Sequence, residues 1–248
     1  MIRKLATAAA VGLVALPAMA LDLDKMSDAE RNAFREEVRA YLLDNPEVIM
    51  EAVQILEQRQ AEAEAAHDFS LVEKYAEPIF NDGFSWVGGN PEGDITLVEF
   101  VDYRCGYCRR AHDEVAQLVE KDGNIRLIMK EFPILGDQST LSSQFAIAVK
   151  QLNGSDAYKQ VHDALITFKG DINETTLTRL AESLGYDAGA LLAHMNTPAV
   201  AEEITQTRQL ANALNISGTP TFVMQDQLLR GYLPYRNMKA LVDEKRSN

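Results

Sequence analysis

The sequence predicts an α/β chain, and three observations predict it. An apolar, β-branched run over 95–101 feeds through Cys105-Gly106-Tyr107-Cys108 into 111–120, where Val115, Leu118 and Val119 recur at helical spacing. A second apolar run, 125–132, follows the Asp122-Gly123-Asn124 turn and completes a strand–helix–strand unit. Beyond a long tract of helical pattern, two short apolar runs at 221–224 and 228–231 read as a hairpin, with a closing helix from Tyr235.

The first residues have the pattern of an export signal. Arg3 and Lys4 form a basic start, Leu5 to Leu16 is largely apolar, and Ala18-Met19-Ala20 is a small-x-small cleavage site. The apolar run is too short to span a bilayer. A mature chain from about Leu21 is therefore expected in the periplasm, a compartment where disulfides form. The whole chain of 248 residues has 24 basic and 37 acidic residues and a formal charge of −13. Removing residues 1–20 takes away Arg3 and Lys4 and no acid, which leaves −15. That charge argues against nucleic acid or anionic lipid as a partner.

Residues 21–80 read as an N-terminal helical segment and connector. Ser27 with Glu30 forms a capping box, and Phe34, Val38, Tyr41 and Leu42 share one helical face. Asn45-Pro46 ends that helix and starts another, whose stripe includes Val48, Ile49, Ala52, Val53 and Leu56. Two short amphipathic helices cannot build a core alone, so self-association is expected, with packing onto the catalytic domain as the alternative. Between Gln58 and His67 good helix formers carry no large apolar residue and read as a charged connector.

Residues 81–248 read as the catalytic domain. A short edge strand and turn are expected near 86–94, ahead of the central strand. The helical tract from Ser139 to about Leu214 should break at Asn153-Gly154, Lys169-Gly170-Asp171, Gly185 and Thr197-Pro198.

The chemistry centres on the cysteine pair. A helix N-terminus favours a thiolate, and the thiolate does disulfide chemistry. Cys105 reads as the exposed nucleophile and Cys108 as the sheltered resolving thiol. A zinc site needs more ligands than two cysteines supply, and no two of His67, His112, His162 and His194 stand at ligand spacing. Glu99 and Lys130 are charges in strands expected to be buried, where charges are normally paired. Neighbouring strands let them pair beneath Cys108, with Glu99 relaying that thiol's proton. Thr219-Pro220 precedes the hairpin; a cis bond there would present Thr219 backbone to an extended peptide.

These residues together resemble the DsbA-like thiol:disulfide interchange proteins. The resemblance rests on Val98-Glu99-Phe100, Cys105-Gly106-Tyr107-Cys108, Lys130 to Gly136, and Gly218-Thr219-Pro220-Thr221-Phe222, and covers about 84–248. It implies a thioredoxin fold with a helical insertion at about 137–197, a cis Pro220, and Glu99 with Lys130 as a buried acid–base pair. Gly106-Tyr107 and Thr219 depart from the strongly oxidising members, which carry Pro-His and Val there, and look more like the periplasmic disulfide isomerases. The N-terminal segment is similar to the oligomerisation region of the suppressor-of-copper-sensitivity C proteins.

The expected activity is thiol–disulfide exchange on exported proteins, as isomerase or reductase, through Cys105 and Cys108, with Glu99 and Lys130 assisting. Thr219, Pro220, Gly106 and Tyr107 would bind substrate. No metal or other cofactor is implied. A membrane redox partner and a homo-oligomer, a trimer favoured, are expected. The alternatives are a dithiol oxidase and, in a different class, a holdase chaperone; replacing both cysteines would leave a holdase fully active.

Overall fold

The computed structural model describes residues 25–247. The export signal expected at 1–20 lies outside the described residues. Two compact units divide between Arg59 and Gln60.

In the N-terminal unit, α1 (Asp28–Asp44) starts at the capping box: Ser27 Oγ accepts from Glu30 N–H, and Glu30 accepts from Ser27 N–H at 2.8 Å. The helix stops where Asn45 donates its backbone N–H to Tyr41 O. No residue of α1 is buried. Phe34, Val38 and Tyr41 lie open on α1, as do Ile49, Val53 and Leu56 at the start of α2 (Glu47–Lys74). No helix among the described residues is long and apolar enough to cross a membrane.

In the larger unit, Trp86–Gly89 is β1, Ile95–Val101 β2, Ile125–Glu131 β3, Thr221–Met224 β4 and Gln227–Arg230 β5. They form one sheet in the order β1-β3-β2-β4-β5. Only β2 and β3 pair in parallel, and α4 (Gly106–Asp122) crosses between them. Gly123 ends α4 at φ 72°, in the left-handed region that suits a residue without Cβ. Both central strands are nearly all buried, as expected of strands covered on two faces.

Odd-numbered residues of β2 and β3, such as Leu97 and Leu127, pack with Ala111, Val115 and Leu118 of α4 and with Met238 of α10 (Tyr235–Ser247). Even-numbered Val98, Phe100 and Ile128 pack on the other face with Val72, Ile79 and Leu214. Val72 and Ile79, on α2 and α3 (Ala76–Phe80), thus belong to the larger unit's core. The connector's apolar residues from Leu71 onward cover a sheet face of the larger unit.

Between β3 and β4 run α5 (Asp137–Asn153), α6 (Ser155–Thr167), α7 (Glu174–Ser183), α8 (Ala188–His194) and α9 (Pro198–Ala213). Their breaks fall at the glycine and proline positions read from the sequence.

Candidate active site

The β2–α4 turn places Cys105 at the N-cap of α4, at φ −74° and ψ 118°. Its Sγ accepts the backbone N–H of Cys108 at 3.4 Å, taking one of the donors a helix start leaves unpaired. The Cys105 thiol also donates to Thr219 O at 3.1 Å, on the residue whose bond to Pro220 is cis. The active-site helix and the strand entering the hairpin therefore meet at one sulfur.

Both thiols are free and buried, Cys105 at 7 % exposure and Cys108 at 1 %. This corrects the expectation of an exposed Cys105, whose sulfur lies against the Thr219–Pro220 segment. Tyr107, by contrast, is 60 % exposed, with its ring 6.4 Å from that of Tyr232. Open space surrounds the position a Gly106 side chain would fill.

The electrostatics separate the two sulfurs. The hydrogen bond from the Cys108 side chain, aided by Thr219 and by the backbone N–H groups of Cys108 and Tyr107, outweighs burial and holds Cys105 down to about 5. Burial, the hydrogen bond given to Cys105 and the Glu99 carboxylate push Cys108 far up. A thiolate beside a thiol that keeps its proton is an arrangement capable of disulfide exchange.

Glu99 lies on the α4 face of β2, 2 % exposed, and lines a small cavity with Met129, His112 and His162. Burial first, then charge on Cys105, pushes its carboxyl up to about 8. The expected Glu99–Lys130 pair does not form. The register sets Glu99 beside Met129 and Lys130 beside Phe100, and neighbouring residues of a strand point to opposite faces. Lys130 Nζ instead meets Asp82 Oδ2 at 2.5 Å and Ser85 Oγ at 3.3 Å, on the face away from Cys108. Burial pulls the Lys130 pKa down, and the Asp82 carboxylate opposes that shift.

Two carboxylates that the sequence reading passed over support the site. Asp102, fully buried, accepts from the N–H of Arg104 (2.7 Å), Ile134 (2.8 Å) and Leu135 (3.0 Å) and from Ser139 Oγ (2.8 Å). Its backbone carbonyl accepts the N–H of Cys105 at 3.1 Å. Glu131 accepts from Tyr103 Oη (2.7 Å), Tyr158 Oη (2.6 Å) and Ser143 Oγ (2.7 Å), while burial still lifts it to about 7. Arg109 reaches back from α4 to the carbonyls of Ile166 and Phe168, and Arg104 to that of Gly170. An acid inside an apolar run was the available sign for Asp102 and Glu131, since buried carboxylates are rarely without donors.

Residues 30–63 match the copper resistance protein ScsC N-terminal domain. A thioredoxin-like oxidoreductase from Silicibacter pomeroyi DSS-3 is 41% identical, with TM-score 0.65 over 69% of this chain and 98% of its own. A linker-deletion mutant of Proteus mirabilis ScsC, 23% identical, shares the fold at TM-score 0.66 over 90% of this chain and 98% of its own. The Na(+)/H(+) antiporter NhaA 3 of Salinispora tropica is 30% identical over 155 residues, 62% of this chain and 23% of the antiporter. This chain spans about a quarter of the length of the antiporters it matches. Residues 96–243 match the DSBA-like thioredoxin domain, a stretch that holds Glu99, the cysteine turn and the cis bond before Pro220. The chain belongs to the DSBA-like thioredoxin domain family.

Proposed function

We propose that the chain is a periplasmic thiol:disulfide oxidoreductase that acts on the disulfides of exported proteins as an isomerase or reductase. The observation that carries this is Cys105 Sγ, held as a thiolate at the α4 N-terminus by Cys108 and set against the cis Thr219–Pro220 segment.

The Cys105 thiolate attacks one sulfur of a client disulfide, and the other client sulfur leaves as a thiolate. In isomerisation a different client thiolate attacks the mixed disulfide, forms a new client disulfide and releases Cys105. In reduction Cys108 loses its proton to the Glu99 carboxylate, attacks Cys105 Sγ and frees the second client sulfur. The burial of both Cys108 and Glu99 suits that transfer: neither group has bulk water as a ready acceptor or donor. Thr219, Gly106 and Tyr107 form the rim on which a client chain rests. Lys130, on the far face, supports the sheet through Asp82 in this mechanism and handles no proton.

Gly106-Tyr107 and Thr219 favour the isomerase direction by resemblance. The N-terminal unit supports it as well: its open apolar residues suit pairing between copies, with a trimer favoured, and several active sites on one stem can work on one misfolded client. A membrane partner would return the pair to the dithiol.

Single-cysteine variants test the scheme. Cys108→Ala should accumulate mixed disulfides with exported proteins, and Cys105→Ala should form none. The reverse pattern would exchange the two roles. A second reading, dithiol oxidase, draws on the low Cys105 pKa, which favours the reduced enzyme as product. A Cys105–Cys108 pair found mostly oxidised in cells would support it.

A further inference from the structure

Outside the cysteine turn, a cluster of metal-ligating side chains lies at the interface between α4 and α6. His112 comes from α4, one turn past Cys108, and His162 and Asp163 come from α6. Each of the three brings one ligand atom into a group lying within 4.8 Å of one another. His112 Nε2 and Asp163 Oδ1 are already 3.4 Å apart. Zinc bonds of about 2.0–2.1 Å in a tetrahedron put neighbouring ligand atoms about 3.3–3.4 Å apart. One edge of such a site therefore stands at the required length, and the third ligand needs a shift of about an ångström to close it.

The hydrogen bonds prepare the ligands. Tyr103 has one hydroxyl proton, and Glu131 accepts it at 2.7 Å. The contact of 3.0 Å between Tyr103 Oη and His162 Nδ1 then needs its proton from the imidazole. That leaves Nε2 as the ring nitrogen free to ligate. A histidine whose second nitrogen donates to a fixed acceptor is oriented as metal-bound histidines are. His162 is also 4 % exposed, so this geometry is held by the core.

Asp163 supplies the second, independent sign. Its Oδ1 is buried without a hydrogen-bond partner, an exception that asks for an explanation. Lys159 engages only Oδ2, in a half-exposed pair of the kind worth little. One oxygen thus remains for a cation.

We infer that His112, His162 and Asp163 form a binding site for a divalent transition metal of the zinc class, with a fourth position left to water. Two imidazoles and a carboxylate suit that class of ion better than magnesium or calcium. The ion would bridge the active-site helix to the inserted helical region, just behind Cys108.

The cysteines are themselves soft ligands, so the test removes them from competition. Full-length Cys105→Ser/Cys108→Ser protein is titrated with Co2+ and Zn2+, following the visible bands of tetrahedral cobalt and the heat of zinc binding. Wild-type protein oxidised to the disulfide, which has no thiolate to offer, is titrated in parallel. A single site is expected in both forms. His112→Ala and Asp163→Asn, both on partly exposed residues, should each weaken it roughly tenfold or more. His194→Ala, at a histidine that contacts Gln151, should leave it unchanged. Zinc should also raise the melting temperature of the parent and not of His112→Ala. Absence of saturable binding in both forms, or binding that survives both ligand substitutions, would overturn the site.

Discussion

Removing the Cys108 thiol while leaving its backbone in place should raise the pKa of its neighbour by a predictable amount. Three contributions hold the Cys105 thiolate: the Cys108 side chain, which contributes most, then Thr219, then the N–H groups of Cys108 and Tyr107. Cys108→Ala deletes only the first. A hydrogen bond to a charged group is worth about 1.5–3 kcal/mol, and about 1.4 kcal/mol corresponds to one pH unit. The Cys105 midpoint should therefore move from about 5 to roughly 6–7 and stay below the ordinary thiol value of 9.0. The ultraviolet absorbance of the thiolate, followed against pH in wild type and variant, measures both midpoints. The sign carries over to redox stability. A depressed acid stabilises the folded dithiol fully above its unfolded pKa and loses that contribution as pH falls through its folded value. The reduced form should thus lose its advantage over the disulfide between about pH 9 and pH 5 in wild type. In Cys108→Ala the thiolate is lost at a higher pH. Coincident midpoints would refute the reasoning and leave Thr219 and the helix terminus as the causes.

Other consequences follow from the buried carboxylates and the N-terminal helices. Glu99→Gln should slow resolution by Cys108 more than the first attack, which stopped-flow rates of the two half-reactions will show; equal slowing would remove Glu99 from the proton path. Because folding lifts Glu99 from 4.5 to about 8, wild type should lose stability to this burial as pH rises through that window. Denaturant melts should find Glu99→Gln gaining on it by on the order of 3–5 kcal/mol, a gap that levels off above pH 8. Asp102→Ala strands three N–H groups and a hydroxyl, so a loss of roughly 4 kcal/mol or more is expected at about 1–3 kcal/mol per buried unpaired group; a loss under about 1 kcal/mol would mean water replaces the carboxylate. Removal of residues 21–60 should yield, by light scattering, a monomer that still reduces small disulfides and has lost isomerase activity. A monomeric full-length protein would contradict the stem.

What the sequence made legible was whatever leaves a local mark. The capping box at Ser27 and Glu30, the helix breaks at Gly154 and Pro198, and the cysteine pair at a strand-to-helix junction were all read from neighbouring residues. Lys130 shows where that reading stopped. Both it and Glu99 were rightly placed in buried strands, but their pairing depended on register, and a one-residue difference sends a side chain to the opposite face. The partner Lys130 does find, Asp82, lies in a loop with no pattern to announce it. His112 and His162 escaped for a related reason: their meeting depends on how α6 packs on α4, which no spacing within either helix encodes. Burial of Cys105 likewise involves the distant Thr219–Pro220 segment, which lies against its sulfur.

The Asp102 carboxylate has a consequence for how such a protein can change over evolution or in the hands of an engineer. Its acceptors bind the turn before Cys105, the chain leaving β3 at Ile134 and Leu135, and the first turn of α5. The exit into the inserted helices therefore has a fixed length. A residue added between Phe132 and Ser139 would pull donors off that carboxylate and disturb the cysteine turn at the same time. At the distal end, by contrast, Gly185 opens into empty space between α7 and α8. Grafts that lengthen or exchange the outer helices should be accepted there, while the junction with β3 must be copied residue for residue.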